Sequence, residues 1–207
     1  MKTIYKGEKY EITTDGIRAY KTGGTTKREM PFFPERDIEA LAGDIDEETA
    51  WRIVLAVANG WEEKPTPINP AHILIADEGF MVSEWSESTD NRFEAPEGYC
   101  AVWALGATTF YMTMGCHVFH GLGGKAQTPS TPVPLLRKDY PELNALVGAC
   151  LQYEKAKRPE MGSIAGIALK NIERLGKMSQ ERRKKKNIEN GQEGRTELEN
   201  LWPDEMK

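Results

Sequence analysis

Cysteine is scarce. Cys100, Cys116 and Cys150 are the only three in 207 residues. An odd number set among apolar residues excludes a disulfide framework and points to buried thiols in a reducing compartment. Histidine is as scarce, with His72, His117 and His120. There is no excess of cations either: 27 Lys and Arg stand against 32 Asp and Glu, a net charge of −5. That balance argues against general nucleic-acid binding. The first twenty residues are polar and hold no apolar segment, so no secretory leader is expected. Together these gaps predict a soluble cytoplasmic protein. A chain of this length reads as one domain plus a tail and can bury a sizeable core.

Charge is also missing locally. From Gly98 to Gly124 there is no Asp, Glu, Lys or Arg. Within that run, Tyr99 to Met114 is apolar almost all round, the signature of a helix buried in a large protein or a membrane. The run is long enough to raise the membrane reading. Gly106, Thr108, Thr109, Thr113 and two histidines, with no close basic flank, favour a buried central helix instead.

The rest of the chain is arranged around this helix. Residues 3 to 22 are rich in Thr, Tyr and Ile, and Asp15-Gly16 between alternating runs predicts a β-hairpin. Two strands alone are marginal in water, so the hairpin must lean on something. Pro31-Phe32-Phe33-Pro34 reads as a rigid connector, with a short helix after it around Asp37 to Ala42. Asp46-Glu47-Glu48 opens a stronger helix, whose Trp51, Val54, Leu55, Ala58 and Trp61 keep the helical period until Pro65 and Pro67 stop it. Ile73-Leu74-Ile75 and Phe80-Met81-Val82 flank a tight turn and predict two short strands. Helices are expected from about Glu142 to Leu151 and from about Ser163 to Leu175. From Lys177 onward the chain is highly charged and poor in apolar residues, which predicts a solvated helix end and a flexible tail.

Several stretches resemble the large lobe of the protein kinase fold. Ala95-Pro96-Glu97 resembles the Ala-Pro-Glu signal that closes the activation segment in that family. Ala101-Val102-Trp103-Ala104-Leu105-Gly106 follows where the family has Asp-x-Trp-Ser-x-Gly. Residues 65 to 75, PTPINPAHILI, fall on the catalytic loop His-Arg-Asp-Leu-Lys-Pro-x-Asn-Ile-Leu-Leu. Ile68, Pro70, Ile73, Leu74 and Ile75 keep its scaffold positions. Its chemistry is replaced: Pro65 for the His, Thr66 for the Arg, Pro67 for the catalytic Asp, Asn69 for the Lys and His72 for the metal-binding Asn. Glu84-Trp85-Ser86 stands where Asp-Phe-Gly is expected. Cys150-Leu151 and Arg158-Pro159 are similar to the family's late signals, and the resemblance pairs Arg158 with Glu97. Before Pro31 there is no Gly-rich loop, no Val-Ala-x-Lys strand, and too little chain for a full small lobe.

The resemblance therefore implies an α+β fold, mainly helical, a kinase-like large lobe with an N-terminal β-hairpin in place of a full small lobe. The expected divisions are 1–30 for the hairpin, 31–176 for the lobe and 177–207 for the charged tail. Glu97 and Arg158 are expected to form a structural ion pair, and His72 and Glu84 to be remnants of a degenerate nucleotide site. No catalytic residue, metal or cofactor is expected. His72 and Glu84 make a poor magnesium site, because magnesium prefers oxygen ligands. Cys116-His117-x-x-His120 offers three ligands where a closed zinc site needs four. Gly121 to Lys125 lacks the spacing of a phosphate-binding loop and reads as a flexible turn. The implied function is a non-catalytic, pseudokinase-like binding or scaffold module with a regulatory role. The alternative is an atypical nucleotide-binding phosphotransferase or nucleotide sensor. An unidentified protein partner, self-association included, is expected, with no membrane. The basic run 182–186 is the only feature pointing towards nucleic acid.

Overall fold

The computed structural model describes residues 2–6, 11–14, 18–23, 26–31, 42–43, 45–63, 67–76, 79–82, 90–136 and 139–200. Within them the chain is α+β and mainly helical. The strands before residue 32 and the helix after residue 183 are described as backbone alone.

The N-terminal part is larger than a hairpin. Four strands, β1 (Lys2–Lys6), β2 (Glu11–Thr14), β3 (Arg18–Gly23) and β4 (Thr26–Pro31), pair in that order into one antiparallel sheet. The predicted hairpin is its middle, with Glu11 opposite Thr22 and Thr14 opposite Ala19. The outer strands supply the support that two strands lack. Lys27, Arg28 and Glu29 give β4 no apolar alternation, which is why the pattern does not reveal it. The connector Phe32–Pro34 and most of the short helix expected at 37–42 lie outside the described residues.

Helix α1 (Glu47–Glu63) starts where its cap places it. The Asp46 carboxylate accepts from the Thr49 N–H at 2.8 Å, and Glu47 and Glu48 complement the helix N-terminus. Its apolar stripe buries Trp51, Ile53, Val54, Val57 and Ala58. The strands β5 (Ile73–Ala76) and β6 (Gly79–Val82) form the expected antiparallel pair, with Ile73 opposite Val82, and β6 packs against α1.

Helix α2 (Ala101–Met114) is the buried centre. Only Val102, Tyr111 and Met114 on it are more than marginally exposed. Thr109 and Thr113 satisfy their hydroxyls on carbonyls one turn back, Leu105 O at 2.8 Å and Thr109 O at 2.9 Å. That is how an all-round buried helix tolerates them. Gly106 lets α3 (Pro141–Cys150) approach: a Cβ there would lie 2.7 Å from Cys150 Cβ. Gly115 ends the helix in the left-handed region, φ 69°, and donates to Tyr111 O at 2.8 Å.

Helix α4 (Met161–Asn200) packs along α1 and buries Met161, Ile164 and Ala168. It runs past residue 177 to Asn200, so the solvated helix end expected from Lys177 extends through residue 200. Lys, Arg, Glu and Gln are good helix formers, so high charge alone does not end a helix. Among the described residues, no helix is long and apolar enough to cross a membrane.

Candidate functional site

The segment aligned with a catalytic loop, residues 67–72, leads through a short 3-10 turn (Pro70–His72) into β5. Asn69 precedes the turn in an extended conformation without a side-chain capping bond, and its buried Oδ1 has no hydrogen-bond partner. His72 is 6% exposed, and its Nδ1 lies 2.7 Å from the Pro67 carbonyl oxygen. A carbonyl can only accept, so Nδ1 carries the proton and donates. The imidazole thus ties the end of the loop to its start. Glu84, the other expected remnant, lies outside the described residues.

A second tie comes from Tyr99, which the sequence did not single out. Its hydroxyl accepts from the Ile68 N–H at 3.1 Å, and burial pushes the phenol's pKa up. In the resembling family an Asp at the position of Ala101 holds this loop. Here Ala101 is buried in α2, and a hydroxyl two residues upstream holds it. The Ile68 N–H of this loop is thus met by a neutral acceptor, the Tyr99 hydroxyl.

Glu97 sits at the tip of a turn in which Gly98 N–H donates to Ala95 O at 3.0 Å. Arg158 reaches it from the segment that precedes α4. Its Nη1 donates to Glu97 Oε1 at 2.5 Å and its Nη2 to Oε2 at 3.0 Å, a fork-to-fork pair. Arg158 also donates from Nε to Gln152 O at 2.8 Å and from Nη2 to Tyr153 O at 2.9 Å. The pair is unequal: the Arg158 side chain is 2% exposed and that of Glu97 38%. The bonds from Arg158 hold the Glu97 carboxyl below its ordinary range, against the opposing effect of burial. Burial works to lower the Arg158 value, and Glu97 more than offsets it.

Folding therefore favours ionised Glu97. Its contribution is complete above about pH 4.3, the ordinary glutamate value, and is lost as pH falls through the lower folded value. The melting temperatures of the parent and of Glu97→Gln should differ at about pH 7 and converge towards about pH 3. A gap that stays constant over that range would contradict this account.

Behind Glu97 the packing is polar and fully buried. Trp103 Nε1 donates to Gln127 Oε1 at 3.2 Å, and Gln127 Nε2 donates to Leu151 O at 2.6 Å. Gln127 so bridges α2 to the end of α3. Gly121 to Lys125 is not a flexible turn. It forms short 3-10 turns in which Gly123 and Gly124 are buried, and Gly124 N–H donates to Glu94 O at 2.8 Å.

In the Cys116, His117 and His120 group, His117 is engaged elsewhere. Arg92 Nη1 donates to His117 Nε2 at 2.9 Å, and the ring stacks on Tyr111 at 4.3 Å. Among the described residues no group of three or more His, Cys, Asp or Glu could hold a metal ion. Cys150 is buried, and burial pushes its thiol up to about 12. Cys116 is exposed, contrary to the expectation of three buried thiols, because it follows the Gly115 cap at the surface end of α2.

Comparison with known proteins gives no matching family model and no matching curated protein.

Proposed function

We propose that the chain is a non-catalytic, pseudokinase-like binding or scaffold module with a regulatory role, acting in the cytoplasm through a protein partner. The observation that carries this reading is the state of the 67–72 loop. Phosphoryl transfer needs a positioning carboxylate, metal ligands and phosphate clamps. At the position of the carboxylate stands Pro67, whose carbonyl is engaged by His72. At the position of a metal ligand stands His72, buried and donating inward. The group that remains from the resembling family is the Glu97–Arg158 pair, whose work is to join two segments of the fold.

Calorimetric titration with ATP and magnesium tests the proposal. The expected result is no measurable binding and no phosphoryl transfer to protein or peptide. Micromolar ATP binding that is lost in Glu84→Ala would overturn it in favour of a nucleotide sensor.

A further inference from the structure

A groove of about 970 Å³ opens between α3 and α4. Its floor is apolar: Ala145, Leu146 and Ala149 on α3, and Ile167 and Met178 on α4. Ile167 is 40% and Met178 39% exposed, two large apolar side chains about three turns apart on α4. Arg174 on its wall is committed to Glu47 at 3.0 Å and Glu142 at 3.4 Å. Lys170 and Lys177 also line it, and among the described residues neither is in an ion pair.

Beyond this groove α4 continues. Lys177 to Arg183 are all exposed, and the helix runs on to Asn200. In sequence this extension is polar all round, with Gly191 and Gly194 inside it. Such a helix gains little from its own packing and each glycine costs it about 1 kcal/mol, so it benefits from a partner. It ends at Leu201-Trp202-Pro203-Asp204-Glu205, two apolar anchors followed by acids, which lie outside the described residues. The groove also carries Glu142, Glu173 and Glu181, of which Glu142 is paired with Arg174, so an occupant that fits it brings apolar groups to the floor and its carboxylates to Lys170 and Lys177. The chain's own copy cannot reach. A straight helix carries residue 200 about 33 Å beyond residue 178 at 1.5 Å per residue.

We propose that the occupant is the 201–205 segment of a second copy, brought to the groove by antiparallel pairing of the two α4 extensions. Place the two-fold axis at Ile188. Trp202 of one copy then comes opposite Arg174 of the other, at the middle of the groove, each about 21 Å from the axis. The same register sets Lys177 opposite Glu199, Glu181 opposite Arg195, Arg183 opposite Glu193 and Met178 opposite Leu198. No acid falls opposite an acid and no base opposite a base between residues 171 and 205. This register meets both reach and charge, and a two-fold pair uses it twice. The basic run 182–186 is used against the acidic end of the second copy. The inference stands on the α3–α4 groove and does not rest on the function proposed above.

Sedimentation equilibrium of the full chain, with thermal melting beside it, is the test. The parent should be dimeric, with affinity falling as salt rises. Trp202→Ala and Ala145→Glu should each raise the dissociation constant at least about tenfold, which is 1.4 kcal/mol or more. Ala145 is exposed, so its change blocks the groove without disturbing the core. An equimolar mixture of the two variants keeps one intact groove and one intact tail, and should associate more tightly than either variant alone. A chain that is monomeric at all concentrations overturns the proposal. If its melting temperature then falls in Trp202→Ala, the tail docks within its own chain; if not, the groove belongs to another protein. A dimer indifferent to both changes overturns it equally.

Discussion

Arg158→Met is expected to lose about 2–6 kcal/mol of stability, four hydrogen bonds at a net of about 0.5–1.5 kcal/mol each. Against a typical total of about 5–15 kcal/mol, that leaves a chain that melts far below its parent. The change removes every donor that Arg158 supplies, four hydrogen bonds in all, to Glu97 Oε1, Glu97 Oε2, Gln152 O and Tyr153 O. The two carbonyls sit in part-buried contacts, so water replaces the lost donor only in part. The stranded carboxylate is the smaller part of the loss, because Glu97 is 38% exposed and can turn to water. Two consequences separate this from a generic cavity effect. Adding Glu97→Gln to Arg158→Met should recover little, since no deeply buried charge is relieved. Glu97→Gln alone should cost less, about 1.5–3 kcal/mol, because the amide oxygen still accepts and both backbone carbonyls keep their donor. Denaturant titration of the three variants reads all of this. An Arg158→Met midpoint equal to the parent's would remove the pair from any structural role.

How much of this was legible in the sequence follows from the range of each interaction. The cap and stripe of α1 are local, so Asp46 and the period from Trp51 to Trp61 announce them. The burial of α2 is legible because charge is absent over the whole run from Gly98 to Gly124. Glu97 and Arg158 are 61 residues apart, and nothing in their local sequence links them. Only the resemblance put them together. Tyr99 and Gln127 carried no signal at all. A hydroxyl or an amide becomes structural only when the fold brings a backbone group to it, here Ile68 N–H and Leu151 O. The two outer strands of the sheet and the length of α4 were missed for a shared reason. Both are polar segments, where periodicity says nothing and propensity alone decides.

Gly124→Ala is the second large effect expected, and it falls on a segment that reads as a loop. A Cβ on Gly124 would lie 2.2 Å from Pro96 N and 2.3 Å from Ala95 C. These are backbone atoms, so no side-chain rotation relieves the overlap. The segment after α2 must lift off residues 94–96, which breaks the Gly124 N–H to Glu94 O bond and pulls on the turn that presents Glu97. Overpacking in a tight interior typically costs about 1–3 kcal/mol. Adding the lost hydrogen bond, about 1 kcal/mol, brings the expected loss to about 2–4 kcal/mol. For a chain of this length that is a fall of about 4–16 °C in melting temperature. Gly148 and Gly166 provide the contrast. They lie inside α3 and α4, and a Cβ on either meets nothing within 4 Å. Alanine there should raise stability by about 0.5–1 kcal/mol through helix propensity. The same substitution should thus carry opposite signs at 124 and at 148 or 166. If Gly124→Ala melts with the parent while Gly166→Ala behaves as expected, the 121–126 segment does not pack on residues 94–96, and the turn that carries Glu97 is held by Arg158 alone.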